Sequence, residues 1–228
     1  MVEFLFLDLD DTILDFGKAE RNALGKTLTA FGVEPTDAVC IRYSQINVFH
    51  WQMLERGEIT REQVKEGRFR VLFRELGMEV DAKECTRVYE SFLAVGHWFL
   101  PGAEETVKAL AKDYRLFLAS NGTAHVQAGR LASAKLYPYF EEVFISQEIG
   151  HNKPSKEFFD VCFAQISGFD RKKCMMVGDS LTSDMQGGIN AGIKTCWVNP
   201  KHKPSGDIQP DYEIEALAQL PELLDTIK

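Results

Sequence analysis

Short apolar runs that end on acids or small polar residues recur along this chain. The first is Val2-Glu3-Phe4-Leu5-Phe6-Leu7, closed by Asp8-Leu9-Asp10-Asp11-Thr12. A run of that length and density predicts a buried strand. After residue 100 the pattern alternates. Strand-like runs fall at 115–119, 143–145, 174–177, 195–198 and, more weakly, 212–214. Helical periodicity falls between them at 103–112, 124–135, 157–166 and 184–191, with Pro101-Gly102 and Pro154-Ser155 as helix starts. Such β-α alternation predicts an α/β fold: a Rossmann-like, doubly wound, mostly parallel sheet with helices on both faces, which strand 2–7 joins.

Residues 16–99 break that rhythm and read as helices. Ala19, Ala23, Leu24, Leu28 and Phe31 share one face, and Gly32 suits the left-handed position after a helix. Thr60-Arg61-Glu62-Gln63 reads as a capping box that opens a helix carrying Val64, Phe69, Leu72, Phe73 and Leu76, with Gly77 as its stop. The expected organisation is a core of residues 1–15 and 100–228 with a helical bundle inserted at 16–99. The return linker is expected near Leu100-Pro101-Gly102. Phe49, Trp51 and Trp98, with His50 among them, are expected to fill the bundle core or its seam with the sheet. None of them is placed in the catalytic set.

Composition changes this picture little. Of 228 residues, 45% are hydrophobic and 26% charged, which is enough apolar material for a core. A net charge of -8 argues against a nucleic-acid partner, whose footprint is basic. The five cysteines form no CxxC pair, and Cys162, Cys174 and Cys196 lie in apolar stretches, so reduced core thiols in a cytoplasmic protein are expected. Neither a signal peptide nor a stretch long enough to span a bilayer is read from the sequence.

The chemistry gathers at the strand ends. Asp8 and Asp10 are two residues apart at a strand end and point the same way. Like charges that close are costly without a cation between them. They suit Mg²⁺ binding while one carboxylate attacks phosphorus and the other handles the proton. Ser120-Asn121-Gly122 follows the strand at 115–119, and Lys153 follows 143–145 by several residues. Gly178-Asp179-Ser180 follows 174–177, with Asp184 five residues after Asp179. Each alone has an ordinary reading as a turn, a solvated lysine or a cap. Their order at successive ends of a parallel sheet, where ligands bind, points to phosphoryl transfer. Two nucleotide motifs are absent. Residues 187–195 miss the P-loop spacing, since Ile193 separates Gly192 from Lys194, and no GxGxxG follows a strand.

These four signals, Asp-Leu-Asp-Asp-Thr, Ser-Asn-Gly, Lys-Pro and Gly-Asp-Ser-x-x-x-Asp, make the chain similar over essentially its whole length to the haloacid dehalogenase (HAD) superfamily of phosphohydrolases. The bundle at 16–99 resembles that superfamily's inserted cap domain. Residues 54–60, Arg68-Phe69, Tyr139-Phe140 and 183–192 further resemble the noncanonical pyrimidine 5′-nucleotidases. The resemblance implies Asp8 as nucleophile and Asp10 as general acid, then base. It implies Mg²⁺, with Mn²⁺ as candidate substitute, on the carboxylates of Asp8 and Asp179 and the carbonyl of Asp10. Ser120, Asn121 and Lys153 would hold the phosphoryl oxygens, and Asp184 would orient a bound water or Lys153. The expected partner is a small phosphorylated metabolite, a nucleoside monophosphate, with neither nucleic acid nor membrane, acting on a monomer or homodimer. A sugar-phosphate phosphatase such as acylneuraminate-9-phosphate phosphatase, a phosphomutase, a dehalogenase and a phospho-aspartate receiver are the rival readings.

Overall fold

A computed structural model describes residues 1–227. The chain divides into two compact units: Met1–Phe16 together with the chain from His97 onward, and Gly17–Gly96. In order, the elements are β1 (Phe4–Leu7), α1 (Phe16–Ala30), α2 (Asp37–Glu55), α3 (Arg61–Glu75), α4 (Ala82–Leu93), α5 (Ala103–Leu110), β2 (Arg115–Ser120), α6 (Ala124–Ser133), β3 (Glu142–Ile145), α7 (Ser146–Ile149), α8 (Lys156–Ala164), β4 (Cys174–Gly178), α9 (Gln186–Ala191), β5 (Lys194–Val198), β6 (Tyr212–Ile214) and α10 (Leu220–Thr226).

The six strands form one parallel sheet in the order β3-β2-β1-β4-β5-β6. The alternation of side chains along a strand sorts this sheet into two chemically distinct faces. Leu5, Leu7, Leu116, Leu118, Met175 and Val177 pack on one side with Val107, Leu110, Leu131 and Leu220. Phe4, Phe6, Phe117, Phe144, Met176 and Trp197 pack on the other with Phe158, Phe159 and Phe163. On the second face Phe6 stacks on Phe117 with centroids 5.2 Å apart and meets Phe163 edge-on at 5.6 Å. Both faces of β1 are therefore buried, which is why its sequence is apolar at successive positions.

In register, Leu7 lies opposite Leu118 on one side and Val177 on the other. Asp8, Ala119 and Gly178 thus stand level at the carboxyl edge of the three central strands. The first and second crossings out of this unit are pinned together. Asp15 N–H donates to the Trp98 carbonyl at 2.8 Å, and Leu100 N–H donates to the Ile13 carbonyl at 3.0 Å. This antiparallel pairing of 13–15 with 98–100 draws the return segment into the sheet unit. The division therefore falls at His97 rather than at residue 100.

The helical unit is a bundle of α1 to α4. Ala19, Ala23, Leu24 and Leu28 are buried, and Gly32 takes φ 75°. Phe31 is only partly buried and meets Phe73 edge-on at 6.1 Å. Thr60 and Gln63 form the expected capping box. The bundle interior is partly polar. Arg68 donates to Asn47 Oδ1 at 2.9 Å, Asn47 Nδ2 donates to Glu20 at 2.6 Å, and the Arg68 guanidinium sits 4.7 Å from the Tyr89 ring. Phe49 departs from expectation. It is 55% exposed, because it faces outward on α2 while Tyr43, Ile46 and Asn47 take the buried stripe. All five cysteines are free and buried. No helix among the described residues is long and apolar enough to cross a membrane.

Candidate active site

β1 ends at Leu7 while its neighbours β2 and β4 run on to Ser120 and Gly178, so Asp8 follows β1 at the carboxyl edge of the sheet. Its carboxylate accepts from Lys153 Nζ at 2.8 Å. That ammonium donates also to Asp184 Oδ1 at 2.5 Å and to the Ala119 carbonyl at 2.6 Å. All three donor hydrogens of the lysine are thereby used inside the protein. The side chains of Lys153 and Asp184 are almost wholly buried and that of Asp8 is 11% exposed.

Asp184 is delivered by an irregular turn. Residues expected to begin a helix at 184 instead form a wide π-type turn over Leu181–Met185, capped by Ser180, before α9 begins. The turn lets Asp184 Oδ2 accept from Ser180 N–H at 3.1 Å while Oδ1 meets the lysine. Gly178 is required beside it, since a Cβ there would stand 2.2 Å from Asp184 Oδ2.

Asp179 completes an acidic group. One carboxylate oxygen from each of Asp8, Asp179 and Asp184 lies within 4.8 Å of the others. Asp179 accepts Trp197 Nε1–H on its backbone carbonyl at 2.8 Å, while its carboxylate takes no hydrogen bond from the described residues. Three carboxylates therefore face one ammonium. Burial, followed by repulsion from Asp184 and Asp8, holds the Asp179 carboxyl well above the usual range. Burial raises Asp8 to about 8, with Lys153 opposing and the neighbouring acids assisting. For Lys153, burial acts to lower the ammonium, but the charges of Asp184 and Asp8 outweigh it and the net shift is upward. An excess of hard, partly desolvated carboxylate oxygens is the donor set that suits Mg²⁺. Asp8 and Asp179 would hold the ion. Asp184, with both oxygens already bonded, would act on Lys153.

Asp10 stands one pleat further along. Residues 8–14 fold back on themselves, with Ile13 N–H and Leu14 N–H both on the Leu9 carbonyl, Asp11 at φ 55°, and Asp11 Oδ1 accepting Phe16 N–H at 2.9 Å. The Asp10 carboxylate, 28% exposed, accepts from Arg130 and, at 2.7 Å, from Gln127 Nε2.

Ser120 and Asn121 take different parts. Ser120 Oγ accepts from Gly122 N–H at 3.1 Å and Gln127 Nε2 at 2.8 Å. With its acceptor sites filled, the hydroxyl has its proton to give. The Asn121 side chain faces the loop of Lys153 and also donates to Ser183 Oγ at 3.2 Å. It accepts from Lys153 N–H at 2.9 Å and donates to the Lys153 carbonyl at 2.8 Å. These bonds fix the loop that carries the lysine. Asp8, Asp10, Ser120, Asn121, Lys153, Asp179 and Asp184 thus share one edge of one unit. Gln127, Arg130 and Trp197 are additions the motifs did not supply. The signal for the first two was available: they lie three residues apart on the buried stripe of α6, between Val126 and Leu131.

Comparison with known proteins identifies the family. The haloacid dehalogenase-like hydrolase family matches residues 5–198. Pyrimidine 5′-nucleotidase PynA of Streptococcus pneumoniae is 40% identical over 98% of this chain and 95% of its own length. Pyrimidine 5′-nucleotidase YjjG of Escherichia coli is 32% identical over 97% of each. The magnesium-bound orthorhombic crystal structure of YfnB from Bacillus subtilis superimposes with a TM-score of 0.94 at 37% identity, covering 98% of this chain and 99% of that one.

Proposed function

The chain belongs to the haloacid dehalogenase-like hydrolases, and we propose that it is a Mg²⁺-dependent phosphomonoesterase that releases phosphate from pyrimidine nucleoside 5′-monophosphates through an aspartyl-phosphate on Asp8. One observation carries the chemistry: three carboxylates and a single buried lysine converge at the strand edge, with a further carboxylate, Asp10, beside them. The similarity to two pyrimidine 5′-nucleotidases supports the substrate class.

Asp8 attacks phosphorus in line. A bond forms from its carboxylate oxygen as the ester P–O bond breaks, which divides one hard displacement into two. Asp10 gives the departing 5′-oxygen a proton, then takes one from the water that hydrolyses the acyl phosphate. Ser120 Oγ–H, already turned into a donor, bonds a phosphoryl oxygen, and the Lys153 ammonium, whose hydrogens go to Asp8, Asp184 and Ala119, offsets phosphoryl charge through its field alone. Asp184 keeps the ammonium pointed at Asp8. Bound Mg²⁺ would supply charge neutralisation between the carboxylates and the phosphoryl group.

The test is a phosphate-release panel of nucleoside monophosphates and sugar phosphates with Mg²⁺. Preference for dUMP, UMP or dTMP is the expected result. Preference for a sugar phosphate would overturn the substrate class and leave the phosphatase chemistry standing.

A further inference from the structure

We propose that Gln127 and Arg130 are positioning residues that hold the Asp10 carboxylate on the leaving-group side of the site, with Gln127 tying it to the Ser120 hydroxyl. The proposal rests on the phosphatase reading above and goes beyond it. Both side chains are buried, Gln127 at 1% and Arg130 at 0% relative exposure. Long polar residues are rarely buried so completely without a specific partner. Here the partner is the same carboxylate. Gln127 donates to Asp10 Oδ2 at 2.7 Å, and Arg130 Nη1 donates to Oδ1. Arg130 Nη1 also reaches Gln127 Oε1 at 3.3 Å, so the two clamp residues brace each other. The guanidinium lies 5.7 Å from the Phe16 ring, which borders it on another side.

The amide of Gln127 has two hydrogens on Nε2, and the second donates to Ser120 Oγ at 2.8 Å. One side chain therefore sets the direction of both the carboxylate that handles the leaving-group proton and the hydroxyl that faces the phosphoryl group. Gly122 shows how closely it is threaded. A Cβ at that position would stand 2.4 Å from Gln127 Nε2 and 2.6 Å from Cδ and Cγ. The glycine of Ser-Asn-Gly is thus open space through which Gln127 passes.

A proton donor matters most for a leaving group that is a poor anion. An alkyl ester such as a nucleoside 5′-monophosphate needs it, whereas p-nitrophenyl phosphate departs as a stable phenolate. The value of kcat/KM reports steps through phosphoryl transfer to Asp8, so its ratio between the two esters reads the placement of Asp10. The experiment compares full-length wild type with Arg130→Met, Arg130→Lys, Gln127→Ala and Gly122→Ala in Mg²⁺. The substrates are p-nitrophenyl phosphate and the alkyl monoester that wild type cleaves best. Arg130→Met is expected to lower kcat/KM for the alkyl ester about 10²-fold and for the aryl ester less than about 5-fold. Arg130→Lys is expected to recover part of the loss. Gly122→Ala, which displaces the end of Gln127 without removing it, is expected to behave as Gln127→Ala does. Equal losses on both esters, or unchanged alkyl activity in the variants that keep the wild-type melting temperature, would overturn the proposal. Wild type inactive on every phosphomonoester would instead remove the phosphatase reading on which it rests.

Discussion

Lys153 Nζ stands 2.8 Å from Asp8 Oδ1 although 145 positions separate the two residues. The same nitrogen meets Asp184, 31 positions on. Replacing the lysine by methionine leaves two carboxylates buried without their cation. Loss of one partner from a buried ion pair typically costs about 3–5 kcal/mol. Urea unfolding of Lys153→Met without metal, at about pH 9 so that Asp8 is ionised, is expected to show a loss of that order, together with loss of turnover. A change below about 1 kcal/mol would mean the acids are not charged around it.

Asp8→Asn replaces the proposed attacking carboxylate oxygen while keeping the shape. Turnover on any phosphomonoester is expected to fall by at least about 10⁴-fold, the scale seen when a nucleophile is deleted. Circular dichroism should be unchanged. Rapid-quench trapping should recover acid-stable radiolabelled phosphoenzyme from wild type and none from the variant.

The acid cluster sets a pH dependence whose sign can be worked out. Asp8 and Asp179 both titrate above their unfolded values, Asp8 at about 8. A raised folded value gives stability that is complete below the unfolded value and is lost as pH rises through the folded one. Metal-free protein should therefore lose stability from about pH 4 to about pH 8. Lys153 is also raised, but it stays charged across that range and adds no slope. Mg²⁺ competes with protons for the same oxygens, so its stabilising effect should grow over the same interval. At 100-fold excess over its dissociation constant the gain is about 2.7 kcal/mol. Calorimetry at three pH values, with EDTA and with Mg²⁺, checks it; a metal effect that shrinks as pH rises would contradict the assignment of the ligands.

Trp197→Phe deletes the indole N–H that fixes the Asp179 carbonyl at 2.8 Å and keeps an aromatic ring in the phenylalanine-rich face. Metal affinity should fall about 10–100-fold, as when an outer hydrogen-bond partner of a ligand is lost. Saturating Mg²⁺ should restore most of the rate. Isothermal titration with Mg²⁺, beside kcat at high Mg²⁺, separates this from a general loss of packing.

Much of this molecule was legible in one dimension because its signals are local. Successive apolar residues in Phe4–Leu7 report a strand buried on both faces. Asp8 and Asp179 each follow such a strand and Ser120 closes one, and a parallel sheet brings those ends to one edge. Thr60 and Gln63 announce their own helix through a bond only three residues long. Phe49 was misplaced because aromatic residues are usually buried, while the helix face that carries it is decided by what α2 packs against.

The residues themselves determined the identity and order of the acids, the hydroxyl and the lysine, since strand and turn patterns depend on neighbours a few positions apart. The tertiary structure alone decided how those groups are wired. It turned Asn121 to the Lys153 backbone, brought Gln127 and Arg130 to Asp10 across more than a hundred residues, and placed Trp197 on Asp179. Such pairings depend on strand register, a glycine's missing Cβ and the burial that makes an unbonded polar group costly. Those are properties of packed elements rather than of any segment of chain.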